Sequence, residues 1–259
     1  MAPKDALERK MERKEERNRE RGGDSNLIFI ALAILFLSII SYSSLVSSVP
    51  TGPSNINVTS NETKAPTNGT MVNISGGYLS KLNITATVQN EKWKAFLGWI
   101  DGRFTLDDAS GSTIYDWSLS TVSGEVYSTR QSGAITWGSI ACANSTQINA
   151  EDVALEHTGS DNISSTFSEN NTDTYIVSGI PIGVNNCFST NTYNDTGAQD
   201  TLFEEIVLYD TSNIVYATKI SNEVGYDGSN YDFQMIVPEN GNESFSGSTA
   251  YYLYVELES

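Results

Sequence analysis

A long apolar run near the start of the chain, Leu27 to Val46, limits what the sequence can fold into more than any other feature. Its twenty residues carry no charge and no Gly or Pro, and only hydroxyl-bearing side chains break the aliphatic and aromatic pattern. A helix of this length is about 30 Å long, which matches the thickness of a hydrocarbon core. In lipid, every backbone polar group must be paired within the segment, so a single span has to be helical. We therefore predict a transmembrane helix over residues 27–49.

The distribution of basic residues predicts the orientation of this helix. Eight of the fifteen Lys and Arg residues fall within residues 1–23, whereas the twenty residues after Val46 contain only Lys64. The excess of Lys and Arg marks the cytoplasmic side. Residues 1–26 are therefore predicted to be a charged cytoplasmic tail, and the rest of the chain is predicted to be extracellular.

Two other interpretations of the apolar run stay open. The small residues Val46-Ser47-Ser48 fit the cleavage site of a secretory signal, although the charged region before the run is long for such a signal. Arg21-Gly22-Gly23 before an apolar helix is similar to an archaeal prepilin cleavage site. Cleavage after Gly23 would release a type IV pilin-like or archaellin-like filament subunit, but Pro50 and Pro53 would end the helix early for such a subunit.

Residues 50–77 have the composition of a linker. Twenty of these twenty-eight residues are Pro, Gly, Ser, Thr or Asn, and none is aromatic. A segment of this kind cannot bury enough apolar surface to offset its loss of chain entropy. We predict a disordered, glycosylatable stalk. The glycosylation acceptors in Asn-x-Ser/Thr triplets are Asn57, Asn61, Asn68, Asn73, Asn83, Asn144, Asn162, Asn170, Asn194 and Asn242.

Residues 78–259 carry the pattern of a mainly β domain. Apolar and polar residues alternate, and clusters of Gly, Asn, Asp and Ser recur at short intervals. We predict an antiparallel β-sandwich in which each strand buries one face. The predicted strands cover 82–88, 93–100, 103–106, 113–119, 125–130, 135–143, 203–209, 214–220 and 231–237, with a last strand at the C-terminus.

The middle of this domain loses the alternation. Residues 148–157 and 162–168 predict a short helical insertion, with Asp161 as the N-cap of its second part. Cys142 and Cys187 are the only cysteines, and an even pair outside the membrane predicts a disulfide. The bond would close a loop of about 45 residues and stabilise the domain by about 3–4 kcal/mol.

The residues needed for most kinds of catalysis are missing. The only histidine, His157, rules out a two-histidine metal motif, and the chain has no GxSxG or phosphate-binding glycine loop. From residue 50 onward, seven basic residues face twenty-five acidic ones, a net charge of −18 that argues against nucleic acid as a partner. We predict that the protein is not an enzyme, that it has no cofactor, and that His157 is an exposed residue near the end of a helix.

Two further groups of residues allow a functional and a structural interpretation. Pairs of carboxylates at Asp107-Asp108 and at Asp227 with Asp232 could bind calcium, but carboxylates on turns are more often simply solvated. The four tryptophans could form a platform for sugar rings, but at strand spacing we expect them in the core. They are Trp93, Trp99, Trp117 and Trp137.

The order of these segments, together with several sequence blocks, resembles a family of membrane-anchored cell-surface proteins of small-genome archaea. The resemblance covers most of residues 80–259. It implies a β-sandwich ectodomain at the archaeal envelope and no established activity. The blocks that carry it are LDDASGSTIYDWSL, GEVYSTR, ITWGSIACA, FEEIVLYD, YDFQMIVPE and YYLYVELE.

These observations favour a glycosylated surface protein with a structural or adhesive role. Its expected partners are the membrane, through residues 27–49, and other envelope proteins or surface glycans, and self-assembly is compatible with the sequence. A filament subunit is the first alternative. An extracellular carbohydrate-active or carbohydrate-binding protein is the second.

Overall fold

The computed structural model of the chain describes residues 49–258. The predicted cytoplasmic tail and nearly all of the predicted span lie outside the described residues. Between residues 49 and 258, no helix is long and apolar enough to cross a membrane.

The described part of the chain is mainly β, as predicted. In chain order, the strands are β1 (Trp93–Gly98), β2 (Arg103–Asp107), β3 (Thr113–Ser118), β4 (Gly124–Thr129), β5 (Ala141–Cys142), β6 (Glu169–Asn170), β7 (Tyr175–Val177), β8 (Ile180–Ile182), β9 (Phe188–Tyr193), β10 (Gln199–Tyr209), β11 (Ile214–Lys219), β12 (Glu223–Val224), β13 (Asn230–Tyr231), β14 (Phe233–Pro238) and β15 (Tyr252–Leu257). The helices are a 3₁₀ turn (Trp137–Ser139), α1 (Ser145–Ala154) and α2 (Ile163–Thr166).

A seven-stranded antiparallel sheet forms the centre of the domain. Six of its strands follow the order β15-β4-β11-β10-β9-β6, and β5 pairs with the end of β10. The hairpin β10–β11 turns at residues 210–213, where the Asp210 carboxylate accepts hydrogen bonds from the backbone N–H groups of Ser212 and Asn213. An Asp at the start of a turn fixes the loop in this way, so the predicted hairpin is confirmed.

Successive residues of the central strands point into two different cores, because side chains alternate between the faces of a sheet. Val126 belongs to one core and Tyr127 to the other. The helix-side core packs the sheet against α1, α2 and the β1–β14 ribbon. The other core packs the sheet against the β7–β8 hairpin and the 3₁₀ turn. Its members from those covering elements include Trp137, Tyr175, Val177 and Ile182.

The central sheet is therefore covered on both faces. All six residues of β4 are buried, including Glu125, Ser128 and Thr129. The prediction of one-sided strands is wrong for this sheet, because a polar residue such as Glu125 is covered by the β7–β8 hairpin and accepts a hydrogen bond from the Ile176 N–H of that layer.

The start of the predicted stalk is attached to the sheet. Thr51 and Val255 exchange two backbone hydrogen bonds, with N···O distances of 3.0 and 2.9 Å. From Gly52 to Lys92, the chain forms no helix or strand, and residues 82–88 are exposed throughout. The predicted strand at 82–88 is wrong, and β1 pairs instead with β14, about 140 residues away along the chain.

The irregular middle of the domain differs from the prediction in detail. Asn144 is the N-cap of helix α1, and its side chain and that of Gln147 form a reciprocal capping box. The N-cap of α2 is Asn162 rather than Asp161, since the Asn162 side chain accepts from the backbone N–H of Ser165 at 2.8 Å. Only the end of the predicted 135–143 strand is extended, as β5.

The predicted disulfide between Cys142 and Cys187 is confirmed. The two Cα atoms are 4.9 Å apart, and Cys187 is fully buried. Cys142 lies on β5 and Cys187 directly precedes β9, and both of these strands pair with β10. The bond therefore joins two chain segments that lie along one strand of the central sheet.

Candidate functional site

The β2–β3 hairpin is the main candidate for a contact surface, because it pairs with no other strand of the described chain. Its turn is built by Asp108, whose carboxylate accepts from the backbone N–H groups of Ser110 and Ser112, both at 2.8 Å. Gly111 has φ of +82°, a conformation that favours glycine. The predicted hairpin is confirmed, but it lies outside both cores.

One face of this hairpin is apolar. The directly opposed pairs are Phe104 with Trp117 and Leu106 with Tyr115. Leu106, Tyr115 and Trp117 are 56%, 60% and 51% exposed, and the two aromatic ring centroids are 4.9 Å apart. We call these four side chains the hairpin face.

The other residues of the two strands are mostly polar, apart from Ile114, which lies at the β-bulge and is 78% exposed. Arg103 and Asp116 form an exposed ion pair at 3.2 Å, next to Thr105. An isolated two-stranded hairpin is only marginally stable in water, and exposed aromatic pairs of this kind are enriched at binding surfaces. The geometry is that of a contact ribbon that presents one apolar and one hydrophilic side.

The four tryptophans divide equally between core and surface. Trp137 is buried, and Trp93 packs on the helix-side core while its indole N–H donates to the Asp161 carbonyl at 2.7 Å. Trp99 and Trp117 are exposed. The prediction that all four lie in the core is wrong for these two. Trp117 lies on the unpaired β2–β3 hairpin, and Trp99 follows the end of β1, where its indole N–H donates to the Asn230 carbonyl at 2.9 Å.

A second feature, a row of ionisable side chains on the face of the sheet that the β7–β8 hairpin covers, was not predicted from the sequence. Glu256, Glu125 and Lys219 lie side by side on β15, β4 and β11, since each is opposite the next in the strand register. Glu204 follows on β10. The three glutamates are 1–4% exposed.

These glutamates hold the backbone that covers them. Glu204 accepts from the N–H groups of Thr172 and Asp173, at 2.6 and 3.2 Å. Glu125 Oε1 accepts from the Ile176 N–H at 3.1 Å, and Glu256 accepts from the Ser178 N–H at 2.9 Å. Side-chain carboxylates thus bind four backbone N–H groups of residues 172–178, in addition to the pairing of β7 with β8.

Glu125 also lines a small pocket of about 260 Å³, beside Lys219 and Glu258. Burial raises the pKa of Glu125 to about 8, with Glu258 and Glu256 adding to the rise and the Ile176 N–H and Lys219 opposing it. The group is therefore a neutral acid near pH 7. Its Oε2 has no hydrogen-bond partner among the described residues.

Raised carboxyl pKa values occur in general acids of enzymes but also in structural networks. In this row, Oε1 of Glu125 is occupied by the backbone of residue 176, and Glu256 accepts both the Ser178 N–H and the Tyr127 hydroxyl. We therefore assign the row a structural role. Its sequence signal was a glutamate inside an apolar strand, which could have indicated a buried carboxyl with distant donors.

His157 is buried rather than exposed, which corrects the prediction. Its Nε2 donates to the Glu239 carbonyl at 2.5 Å, and its ring meets Trp93 edge to face at 5.6 Å. It lies in the packing between α1 and the segment after β14, so the histidine fixes the end of a helix.

The carboxylates considered for calcium already accept hydrogen bonds from other groups of the domain. Asp227 accepts from the Ser229 N–H and the Tyr231 hydroxyl, both at 2.9 Å, and Asp232 accepts from the Ile100 N–H. Among residues 49–258, no group of three or more His, Cys, Asp or Glu side chains is arranged to bind a metal ion.

The ten glycosylation acceptors differ in how free their amides are. Asn194 and Asn242 donate their Nδ2 groups to Asp200 and Glu156, at 3.1 and 2.8 Å, so a glycan there would be attached to a nitrogen that already forms an internal hydrogen bond. Asn144 and Asn162 are helix caps that use Oδ1. The six remaining acceptors are exposed: Asn57, Asn61, Asn68, Asn73, Asn83 and Asn170. Use of all ten stays a prediction.

Comparison of the chain with known proteins found no matching family model, no matching curated protein and no matching solved structure.

Proposed function

We propose that this protein is a membrane-anchored cell-surface protein with a structural or adhesive role, whose β-domain makes contacts through the hairpin face. The 27–49 segment is the anchor, with the N-terminus in the cytoplasm and the domain outside. The proposal includes the glycosylated stalk and the sandwich-type ectodomain that the resemblance to archaeal surface proteins implies.

The observation that carries the proposal is the exposure of Leu106, Tyr115 and Trp117 on a ribbon that no described part of the chain covers. Aromatic residues in such positions are a signature of contact surfaces, since an isolated ribbon loses stability by leaving them in water.

Two further features agree with an extracellular position. The Cys142–Cys187 disulfide is typical of proteins that fold in an oxidising compartment. The strong negative charge of residues 50–259 disfavours binding to an anionic membrane surface or nucleic acid, and it favours solubility outside the cell.

The proposal is tested by proteolysis of intact cells that express the full chain with different epitope tags at its two ends. We expect external protease to remove the C-terminal tag and leave a short membrane-bound fragment with the N-terminal tag. Permeabilised cells, in which both tags are lost, provide the control.

Protection of the C-terminal tag in intact cells would refute the extracellular position. Mass spectrometry of the membrane-bound chain identifies the mature N-terminus in the same experiment. Asp24 as the first residue would replace the anchored form with the filament-subunit alternative.

A further inference from the structure

The 82–88 segment has the sequence of a strand but no partner in the described chain. Leu82, Ile84 and Val88 fall on one face of the alternation and are 59%, 78% and 85% exposed. No Pro or Gly occurs between residues 78 and 92, so nothing prevents these residues from joining a sheet. A strand-like segment without a partner strand is unusual, because exposure of its apolar side chains to water does not stabilise the fold.

The outer edge of β3 is the complementary feature. Within residues 49–258, β3 pairs only with β2, so the N–H and C=O groups on its other side are available to a further strand. Tyr115 and Trp117 project from this same strand on the hairpin face. An added strand would place its apolar residues beside both rings.

We propose that the 82–88 segment of one chain adds as a third strand along the outer edge of β3 in a second copy. This inference rests on the proposed function, since it names the partner of the contact ribbon. Strand addition supplies backbone hydrogen bonds for affinity, and alternate side chains supply specificity.

Side-chain character supports a second copy as the occupant. Leu82 and Ile84 would form cross-strand pairs with Tyr115 and Trp117, and aromatic–aliphatic pairs of this kind stabilise sheets. Residues 78–88 carry one charge, Lys81, whereas the hairpin carries three Asp and one Arg, so the two surfaces attract each other.

The contact joins two different surfaces, which has a consequence for assembly. Within residues 49–258 of one chain, neither the 82–88 segment nor the outer edge of β3 pairs with another strand, so each copy offers one donor strand and one acceptor edge. Such a head-to-tail contact continues from copy to copy unless a ring closes. Asn83 lies on the opposite side of the alternation from Leu82 and Ile84, so a glycan there would point away from the apolar contact.

Isotope-mixed photocrosslinking of the full chain tests the inference. Tyr115 is replaced with p-benzoylphenylalanine in chains grown with either ¹⁴N or ¹⁵N, and the two are mixed in detergent and reconstituted together into phosphatidylcholine vesicles. We expect crosslinks between position 115 of one isotope and residues 82–88 of the other. A double variant, Ala86→Pro with Thr87→Pro, should lower their yield at least tenfold, because one of these two adjacent N–H groups faces β3 in either register.

The matched control is Ala65→Pro with Thr67→Pro, at exposed positions of the same irregular segment, which should leave the yield unchanged. Crosslinks only within one isotope would show that the segment pairs with the hairpin of its own chain. Crosslinks to other residues, or no crosslinks, would show that the segment does not add to β3. Each of these results overturns the inference. In either case the proposed function stands if external protease still removes the C-terminal tag, so the two failures are distinguishable.

Discussion

Replacement of Glu125 by Gln isolates the cost of keeping a buried carboxyl neutral. The pKa of Glu125 is about 8 in the folded chain and about 4.5 when it is solvated. Because the folded state holds the proton more tightly, the contribution of this group to stability is complete below about pH 4.5 and is lost as the pH rises toward 8. Between pH 5 and pH 8, the loss is about 3 kcal/mol.

Gln does not titrate, and its amide oxygen can still accept the Ile176 N–H. We therefore expect the stability difference between Glu125→Gln and the parent chain to shift by about 3 kcal/mol in favour of the variant from pH 5 to pH 8. The measurement is urea unfolding of the full chain in detergent at both pH values, followed by tryptophan fluorescence, to which the buried Trp137 contributes.

Several carboxylates with lowered pKa values make the parent less stable in acid, so only the difference between the two chains is informative. The exposed substitution Glu62→Gln is the matched control and should show no shift with pH. An equal effect of Glu125→Gln at pH 5 and pH 8 would refute the assignment of Glu125 as a buried neutral acid.

Two other substitutions test the covalent and steric features of the sheet. Cys142→Ser should lower the free energy of unfolding by about 3–4 kcal/mol. Reductant should destabilise the parent chain by a similar amount and leave the variant unchanged. Two free thiols in the denatured, non-reduced parent would contradict this prediction. Gly124→Ala should lower the free energy of unfolding by about 2–4 kcal/mol, because Gly124 has φ of +127° and an added Cβ would overlap the Glu256 carbonyl oxygen. Gly138 has open space around it, so Gly138→Ala should lower the free energy of unfolding by less than about 1 kcal/mol in the same denaturation assay.

Local patterns explain which parts of the fold could be predicted. The β10–β11 and β2–β3 hairpins combine alternating strands with Asp-led turns, and both the strands and the turn lie within about twenty residues. The disulfide followed from the count of cysteines and their predicted compartment. In each case, the information needed was close in the sequence or independent of the three-dimensional arrangement.

The errors arise where the partner of a segment is distant along the chain. The 82–88 segment alternates as well as a true strand, but β1 pairs with β14 instead, so alternation could not show which strand would be accepted. The burial of Glu125 could not be predicted, because its hydrogen-bond donor at Ile176 lies fifty-one residues away on another element. Trp117 was assigned to the core because alternation alone does not show whether a covering layer exists.

The pairing of Thr51 with Val255 has a mechanical meaning for a chain held at its N-terminal end. A pull from that end reaches the sheet first through these two hydrogen bonds, before it reaches β1. Once they break, residues 52–92 can straighten. At about 3.3 Å per residue, this segment would extend by on the order of 100 Å while the central sheet stays intact. The Thr51–Val255 pair would therefore break first under tension, and the 52–92 segment would extend before the domain unfolds.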